Sequence, residues 1–138
     1  MVASLSVGEV ESLIPIAEKG YKEIYQRNLN PEHFLKSWKM IIEAQVGQLL
    51  VVHNGEDIQG FLGYCFGDNL FEPEEEIEVL FMYVLPQYRG GEILNELLGH
   101  LDEKGYPITL TLKDDQHRAS IAKWGYHPEV ILYRRDCE

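Results

Sequence analysis

The segment with the clearest chemical potential lies between residues 78 and 98, where an apolar stretch ends at Pro86 and runs through Arg89, Gly90 and Gly91 into an amphipathic stretch. The first N–H groups of a helix lack intrahelical partners, and the helix dipole is positive at that end. A strand–glycine–helix junction of this kind can therefore bind an anion such as a phosphate. Ordinary structural turns have the same composition, so the junction alone leaves both interpretations open. The sequence contains neither GxxxxGK[ST] nor GxGxxG, the two common nucleotide-binding patterns.

Glu78 is a carboxylate within the otherwise apolar stretch that precedes the junction. A carboxylate near the middle of a covered strand should be partly desolvated, which would make it a better proton acceptor. The alternative is that Glu78 lies near an open strand end and is solvated, or pairs with a lysine. Glu78 is thus the candidate general base.

Residues 76–85 are predicted to form a central strand. Alternation places one set of side chains on one face, namely Glu76, Glu78, Leu80, Met82 and Val84. It places a second set on the other face, namely Ile77, Val79, Phe81 and Tyr83. Both faces are mainly apolar beyond Glu78, which indicates a strand covered on both sides.

The preceding elements carry clear signals. Ser6 and Glu9 have capping-box spacing, and a main helix is expected at residues 15–26 after a short first turn and a kink. Asn30 before a proline predicts the start of a second helix at residues 31–44. Asn54-Gly55 predicts a hairpin between strands at residues 48–53 and 58–66.

After the glycine junction, an apolar stripe predicts a helix from about Gly90 to Gly105. A short strand at residues 108–112, a helix at residues 117–123 and a last strand at residues 130–134 complete the order. This pattern predicts an α/β domain, in the sense of an α+β mixed sheet with helices on both faces.

The 138 residues, 45% of them apolar, fit one domain covering residues 1–138, with a core that needs neither disulfides nor metals. No apolar run reaches the roughly 18 residues of a membrane span, and residues 1–10 lack the pattern of a secretory signal. Cys65 and Cys137 are expected to be free thiols, and the five histidines lack metal-ligand spacing. We therefore expect a soluble cytoplasmic protein without a metal.

The net charge of −11 argues against nucleic acid or an anionic membrane as a partner, because both need a basic surface. It suits a cationic substrate or a basic protein partner, although acidity that only confers solubility is the alternative. The long hairpin and the last strand could support a homodimer.

The junction resembles motif A of the GCN5-related N-acetyltransferase (GNAT) family, in which a strand, a V-x-P-x-x-R-G corner and a glycine-rich turn bind coenzyme A. The matching run is Met82-Tyr83-Val84-Leu85-Pro86-Gln87-Tyr88-Arg89-Gly90-Gly91. The resemblance extends to the order of elements along the chain, and residues 118–126 resemble a later motif of the family.

The resemblance implies a GNAT-like fold with a central, mostly antiparallel sheet and helices on both faces. It also implies acetyl-CoA as co-substrate and assigns residues to it. The backbone around Met82, Tyr83 and Val84 would pair with the pantetheine arm like an added strand. The pyrophosphate would be held near the Arg89 charge by the amides of Arg89, Gly90, Gly91, Glu92, Ile93 and Leu94. Glu78 falls where some members keep a general base.

Three positions depart from the family pattern. Glu92 and Leu94 occupy positions that are usually small, so that Glu92 would repel the pyrophosphate and Leu94 would add bulk where the cofactor or a neighbouring strand approaches. Ile121 stands where many members carry a tyrosine as general acid. Substitutes for that tyrosine are Ser120, Tyr126 and Tyr133, and the sequence does not select among them.

Two functions follow as hypotheses. The leading one is direct acetyl transfer from acetyl-CoA to a primary amine of a small molecule or protein, with Glu78 as base. The alternative is an eroded GNAT-like protein, of a type that also occurs in phages, that serves as a binding or assembly module. Glu92, Leu94 and Ile121 favour the alternative.

Overall fold

The order of helices and strands follows most of the sequence predictions. The computed structural model describes residues 1–68, 71, 73–111 and 121–127. In chain order the elements are β1 (Val2–Ser4), a 3-10 helix (Val7–Leu13), α1 (Ile14–Tyr25), α2 (Pro31–Glu43), β2 (Gly47–Asn54), β3 (Asp57–Asp68), β4 (Glu75–Val84), a 3-10 turn (Pro86–Tyr88), α3 (Glu92–Asp102) and β5 (Ile108–Leu110).

The helix starts have the predicted caps. The Ser6 amide and the Ser6 hydroxyl donate to Glu9 Oε1 at 3.0 and 2.8 Å, although this capping box begins the 3-10 helix rather than an α-helix. Asn30 Oδ1 accepts from the His33 amide at 3.0 Å and caps α2. The sequence therefore fixes both helix starts locally, because each cap satisfies an amide that the helix leaves free.

Within the described residues, five strands form one sheet in the order β1-β2-β3-β4-β5. Neighbours are antiparallel except for β4 and β5, which are parallel. This confirms the predicted mixed α/β class with a mostly antiparallel sheet. Strand β1 was not predicted, because its three residues are too few to show a period and pairing with β2 holds them in place.

Helices cover both faces of the sheet and form two apolar cores. On one face, α3 packs through Leu97 and Leu98 onto β3 and β4, with Tyr64, Ile77 and Val79 among the buried partners. On the other face, the 3-10 helix, α1 and α2 pack onto the sheet through a second buried set, which includes Val10, Leu13, Ala17, Trp38, Phe61 and Tyr83.

A β-bulge in β4 overturns the predicted simple alternation. Phe81 pairs with Gly63 and Val79 pairs with Tyr64, so Leu80 has no direct partner on β3. Because of the extra residue, each side chain in the second half of the strand lies on the opposite face of the sheet from the one predicted. The α3 face receives Ile77, Val79, Met82 and Val84, whereas Phe81 and Tyr83 lie on the α1–α2 face.

The segment at residues 121–127 packs against α3, where Trp124 Nε1 donates to Asn95 Oδ1 at 3.1 Å. The predicted last strand, most of the predicted helix at residues 117–123, Leu112 and Cys137 lie outside the described residues. In the part of the chain that the structure describes, no helix has the length and apolar character required to span a membrane.

Candidate functional site

The second half of β4 has an open edge. Strand β5 pairs with β4 only as far as Val79. The Leu85 amide donates to the Gln59 carbonyl at 3.0 Å, so in this antiparallel ladder the backbone groups of Met82 and Val84 point away from β3. Within residues 1–68, 71, 73–111 and 121–127, no strand pairs with that side of Met82 and Val84. The edge is therefore available to an extended ligand.

The turn after β4 uses two amides that the resemblance assigned to a pyrophosphate. The Arg89 amide donates to the Pro86 carbonyl at 3.4 Å, and the Gly90 amide donates to the Tyr88 carbonyl at 3.1 Å. The first bond closes the 3-10 turn, and the second spans two residues and closes a tighter turn just after it. Arg89 and Gly90 therefore contribute turn geometry rather than free donors.

The free donors lie at the start of α3, and we call the backbone N–H groups of residues 91–94 the amide cradle. Gly91 caps the helix with φ 96°, a conformation that favours glycine. A Cβ on Gly90 or Gly91 would meet nothing within 4 Å, so the backbone is open to a close approach. Three donors follow in the first turn, from Glu92, Ile93 and Leu94, which have no intrahelical partners.

Glu92 is the first residue of α3 and its side chain is exposed. It lines a cavity of about 290 Å³ together with Gln59, Gln87, Tyr88, Gly90 and Ile93. A carboxylate at the positive end of the helix interacts favourably with the dipole and unfavourably with a second anion. The position of Glu92 beside the cradle is the one that the sequence indicated.

Leu94 does not obstruct the cradle. Its side chain is 3% exposed and belongs to the core between α3 and the sheet. Of the two alternatives for its bulk, the side chain meets the neighbouring strands rather than the cradle, because the apolar stripe of α3 turns it inward. The Ile93 side chain is also buried, so both residues offer the cradle only their amides.

The Arg89 side chain turns toward α1. Its Nε donates to the Val84 carbonyl at 2.9 Å, and its Nη2 donates to Glu23 Oε2 at 2.9 Å and lies 2.8 Å from Glu23 Oε1. The guanidinium carbon lies 5.4 Å from the centre of the Tyr83 ring. The Tyr83 hydroxyl donates to Glu23 Oε2 at 2.6 Å. The Arg89 charge, which was expected beside the pyrophosphate, is thus paired with Glu23.

The pKa values of this cluster reflect the pairing. Burial, and then the hydrogen bond to Glu23, raise the pKa of Tyr83 to about 12. The hydrogen bond to Glu23 raises the pKa of Arg89 above its ordinary value. Sequence reasoning missed Glu23, because a glutamate on a helix is most often solvated and nothing local indicates a partner 66 positions away.

Glu78 lies on β4 directly opposite Cys65 of β3, in a row that continues to Thr109 on β5. Its side chain is exposed, so the expectation of partial desolvation is wrong. The side chain is solvated, as the alternative interpretation held, although Glu78 lies between paired residues of β3 and β5 rather than at an open strand end. Burial raises the pKa of the Cys65 thiol, and the nearby Glu78 charge raises it further.

The residues considered for the general acid are not brought to Glu78 by any contact within the described part of the chain. Ile121 is partly buried against the α3 core. Tyr126 packs there too, and burial, followed by the charge of Asp102 at the end of α3, raises its pKa to about 12. Ser120 and Tyr133 lie outside the described residues. No group of acidic, histidine or cysteine side chains suited to a metal ion occurs among the described residues.

Solved structures share this architecture over the whole chain. A possible acetyltransferase from Clostridium difficile 630 superposes with a TM-score of 0.80 at 12% identity, covering 100% of this chain and 97% of the other. A predicted acetyltransferase from Clostridium acetobutylicum, solved with acetyl-CoA, gives 0.81 at 14% identity, covering 99% and 95%. A GNAT family acetyltransferase from Staphylococcus aureus gives 0.75 at 18% identity, covering 99% and 98%.

The chain has the GNAT fold. No protein-family model and no curated protein matches the sequence. At these identities the likeness concerns the fold alone, and a fold by itself does not assign a reaction. Within the GNAT fold, the open edge of β4, the amide cradle and Glu78 are the features from which a function can be argued.

Proposed function

We propose that this protein is an N-acetyltransferase that moves an acetyl group from acetyl-CoA to a primary amine. The observation that carries the proposal is the junction of the open β4 edge with the amide cradle. An extended arm and an anionic group are then accommodated at adjoining places on one surface. Coenzyme A has both parts, a pantetheine arm and a pyrophosphate.

The fit rests on backbone groups. Met82 and Val84 would pair with the amides of the pantetheine arm as an added strand does. The cradle would hold the pyrophosphate at the positive end of α3. The Val84 carbonyl is already bonded to Arg89, so Met82 and the Val84 amide remain for the arm. The solved neighbour that contains acetyl-CoA supports this ligand.

The proposed chemistry needs one proton acceptor in the protein. Acetyl-CoA supplies an acetyl group activated as a thioester. The amine nitrogen loses a proton to Glu78, directly or through a water, and forms a bond to the acetyl carbon while the carbon–sulfur bond breaks. After the attack the nitrogen loses its second proton, which passes directly or through water to the departing thiolate, so that coenzyme A leaves as the thiol. Glu78 then releases its proton to solvent. A backbone N–H near Met82 or Val84 would polarise the carbonyl.

The acceptor is proposed to be cationic before it is deprotonated. A net charge of −11 raises the local concentration of a positively charged amine or a basic protein and disfavours anionic acceptors. The exposed Glu78 carboxylate is open to such a molecule from the α1–α2 face.

A second candidate function is that of a binding or assembly module. The Arg89–Glu23 pairing and the Glu92 carboxylate favour it, because together they remove one positive charge from the cradle and add a negative one. The module function requires that the protein binds coenzyme A weakly and still binds its partner.

Thermal unfolding with and without coenzyme A separates the two. A ligand at 100 times its Kd stabilises the folded state by about 2.7 kcal/mol and raises the unfolding midpoint by several degrees. We expect such a rise with acetyl-CoA and product formation with a primary amine. An unchanged midpoint at millimolar acetyl-CoA would rule out the enzyme and leave the module.

A further inference from the structure

We propose that Glu23 on α1 is a positioning residue for the amide cradle, acting through Arg89. The inference rests on the proposed function in so far as the cradle binds coenzyme A. Glu23 lies outside the junction in sequence, and its side chain reaches the turn because α1 packs on β4. Arg89 would then assist cofactor binding by holding the turn in place, and not by neutralising the charge of the pyrophosphate.

Arg89 is held on three sides. Nε is bonded to the Val84 carbonyl at the end of β4, Nη2 is bonded to Glu23 on α1, and the guanidinium carbon lies 5.4 Å from the Tyr83 ring centre. The Arg89 side chain is 24% exposed, whereas the Glu23 side chain is 37% exposed and reaches solvent. The pair therefore depends on several contacts that converge on one guanidinium rather than on burial. A planar guanidinium can satisfy these contacts simultaneously, and a lysine cannot.

Glu23 is itself fixed. The Tyr83 hydroxyl donates to its Oε2 at 2.6 Å, and the same oxygen accepts from Arg89. Tyr83 is a buried residue of β4, so the carboxylate is tied to the sheet as well as to its own helix. The cluster therefore connects α1, the end of β4 and the turn that leads into α3.

The turn needs such a connection. Its bond from the Arg89 amide is long, at 3.4 Å, whereas the Tyr88 amide donates to the Leu85 carbonyl at 2.9 Å and the Gly90 amide to the Tyr88 carbonyl at 3.1 Å. The weakly bonded Arg89 is followed by two glycines, Gly90 and Gly91. Glycine-rich backbone loses much conformational freedom when a ligand orders it. If the Arg89 side chain already fixes the turn, the cradle is ordered before a ligand arrives, and this ordering improves affinity.

The first test needs no ligand. Hydrogen exchange of the Tyr88, Arg89 and Gly90 amides would be measured by NMR in the wild type and in Glu23→Gln. We expect about tenfold faster exchange at these amides, with unchanged exchange in the core of β3. Glu18→Gln, an exposed glutamate on the same helix, is the matched control and should change neither. Faster exchange throughout, or at none of these amides, would overturn the proposal.

The second test is calorimetric binding of coenzyme A to Glu23→Gln, Arg89→Lys and the double variant. We expect each single substitution to raise the Kd of coenzyme A about tenfold. The double variant should raise it by no more than about twentyfold, because both substitutions break the same network. A counter-charge role predicts instead that Arg89→Lys keeps wild-type affinity, which would contradict the proposal. If Glu23→Gln does not fold, Arg89→Lys is used for both the hydrogen-exchange and the binding measurements.

The proposed function and the positioning role of Glu23 can be refuted separately. A wild-type protein that binds no coenzyme A would refute the proposed function, whereas the exchange measurement would still decide whether Glu23 positions the turn. Normal coenzyme A binding with unaltered Kd in both single variants would refute the positioning role and leave the proposed function intact.

Discussion

The ring of Tyr83 lies against the backbone of Gly20, so closely that a Cβ built on Gly20 would come within 2.7 Å of the ring Cγ. Position 23 lies three residues further along α1 and therefore on the same helix face. The close approach at Gly20 is what lets the Glu23 carboxylate reach the Tyr83 hydroxyl at 2.6 Å. One missing side chain thus sets the distance between α1 and the sheet beside the candidate site.

Gly20→Ala should destabilise the protein despite placing a better helix former on α1. The helix gains up to about 1 kcal/mol, whereas overpacking against a buried ring costs about 1–3 kcal/mol. We expect a net loss of about 1–2 kcal/mol in the free energy of unfolding, measured with urea. Gly8→Ala, where an added Cβ meets nothing within 4 Å, is the control. Equal stability of the two variants would contradict this packing.

Stability should fall as the pH rises from about 10 to 12. The folded-state pKa of Tyr83 is about 12 and its ordinary value is 10.0, so in this window the unfolded chain loses a proton that the folded chain retains. Stability linked to Tyr83 is complete below pH 10 and amounts to about 2 kcal/mol. Tyr83→Phe should reduce the slope of stability against pH, measured by denaturation across the window. Tyr106→Phe, at an exposed tyrosine, should retain the wild-type slope.

Leu94→Ala should lower stability without improving cofactor binding. The side chain is 3% exposed in the α3 core, and truncating a buried leucine costs about 2–5 kcal/mol. We expect the unfolding midpoint to drop and the Kd of acetyl-CoA for the folded protein to stay the same. A tighter Kd would restore the sequence-based view that Leu94 obstructs the ligand.

Glu92→Gln should tighten acetyl-CoA binding. Removing a carboxylate from the first turn of α3 relieves repulsion of the pyrophosphate, an effect of about two- to fivefold in Kd at low salt. Calorimetry at several salt concentrations measures it, and the gain should shrink as salt screens the charge. Glu103→Gln, just past the other end of α3, is the control. A weaker Kd in Glu92→Gln would show that the carboxylate assists binding.

Glu78→Gln should abolish turnover while leaving acetyl-CoA binding intact. Removing a general base costs about 100-fold or more in rate, whereas the exposed side chain contributes nothing to the fold that would alter the cradle. Product formation is measured alongside the cofactor-induced rise in unfolding midpoint. Glu75→Gln, three residues earlier at the start of β4, is the matched control. If Glu78→Gln still forms product, Glu78 is not the general base.

Local signals predicted a large part of the fold. Asn30 with the proline after it specifies the start of α2, and Asn54-Gly55 specifies the hairpin between β2 and β3, since these side chains and turn conformations act over a few residues. The junction from Pro86 to Gly91 likewise indicated a helix start with free amides. The bulge at Leu80 could not be predicted, because it is a property of pairing between two strands.

The amino-acid sequence alone indicated where the chain turns, that a helix begins near Gly90 and that Glu92 stands in its first turn. Long-range packing places the Leu94 side chain in the core, leaves Glu78 exposed and pairs the Arg89 charge with Glu23. The two sets of features differ in the distance over which the responsible interactions act. Caps, turns and helix dipoles act within about one turn of backbone, whereas the direction and charge balance of a side chain depend on elements that only folding brings together.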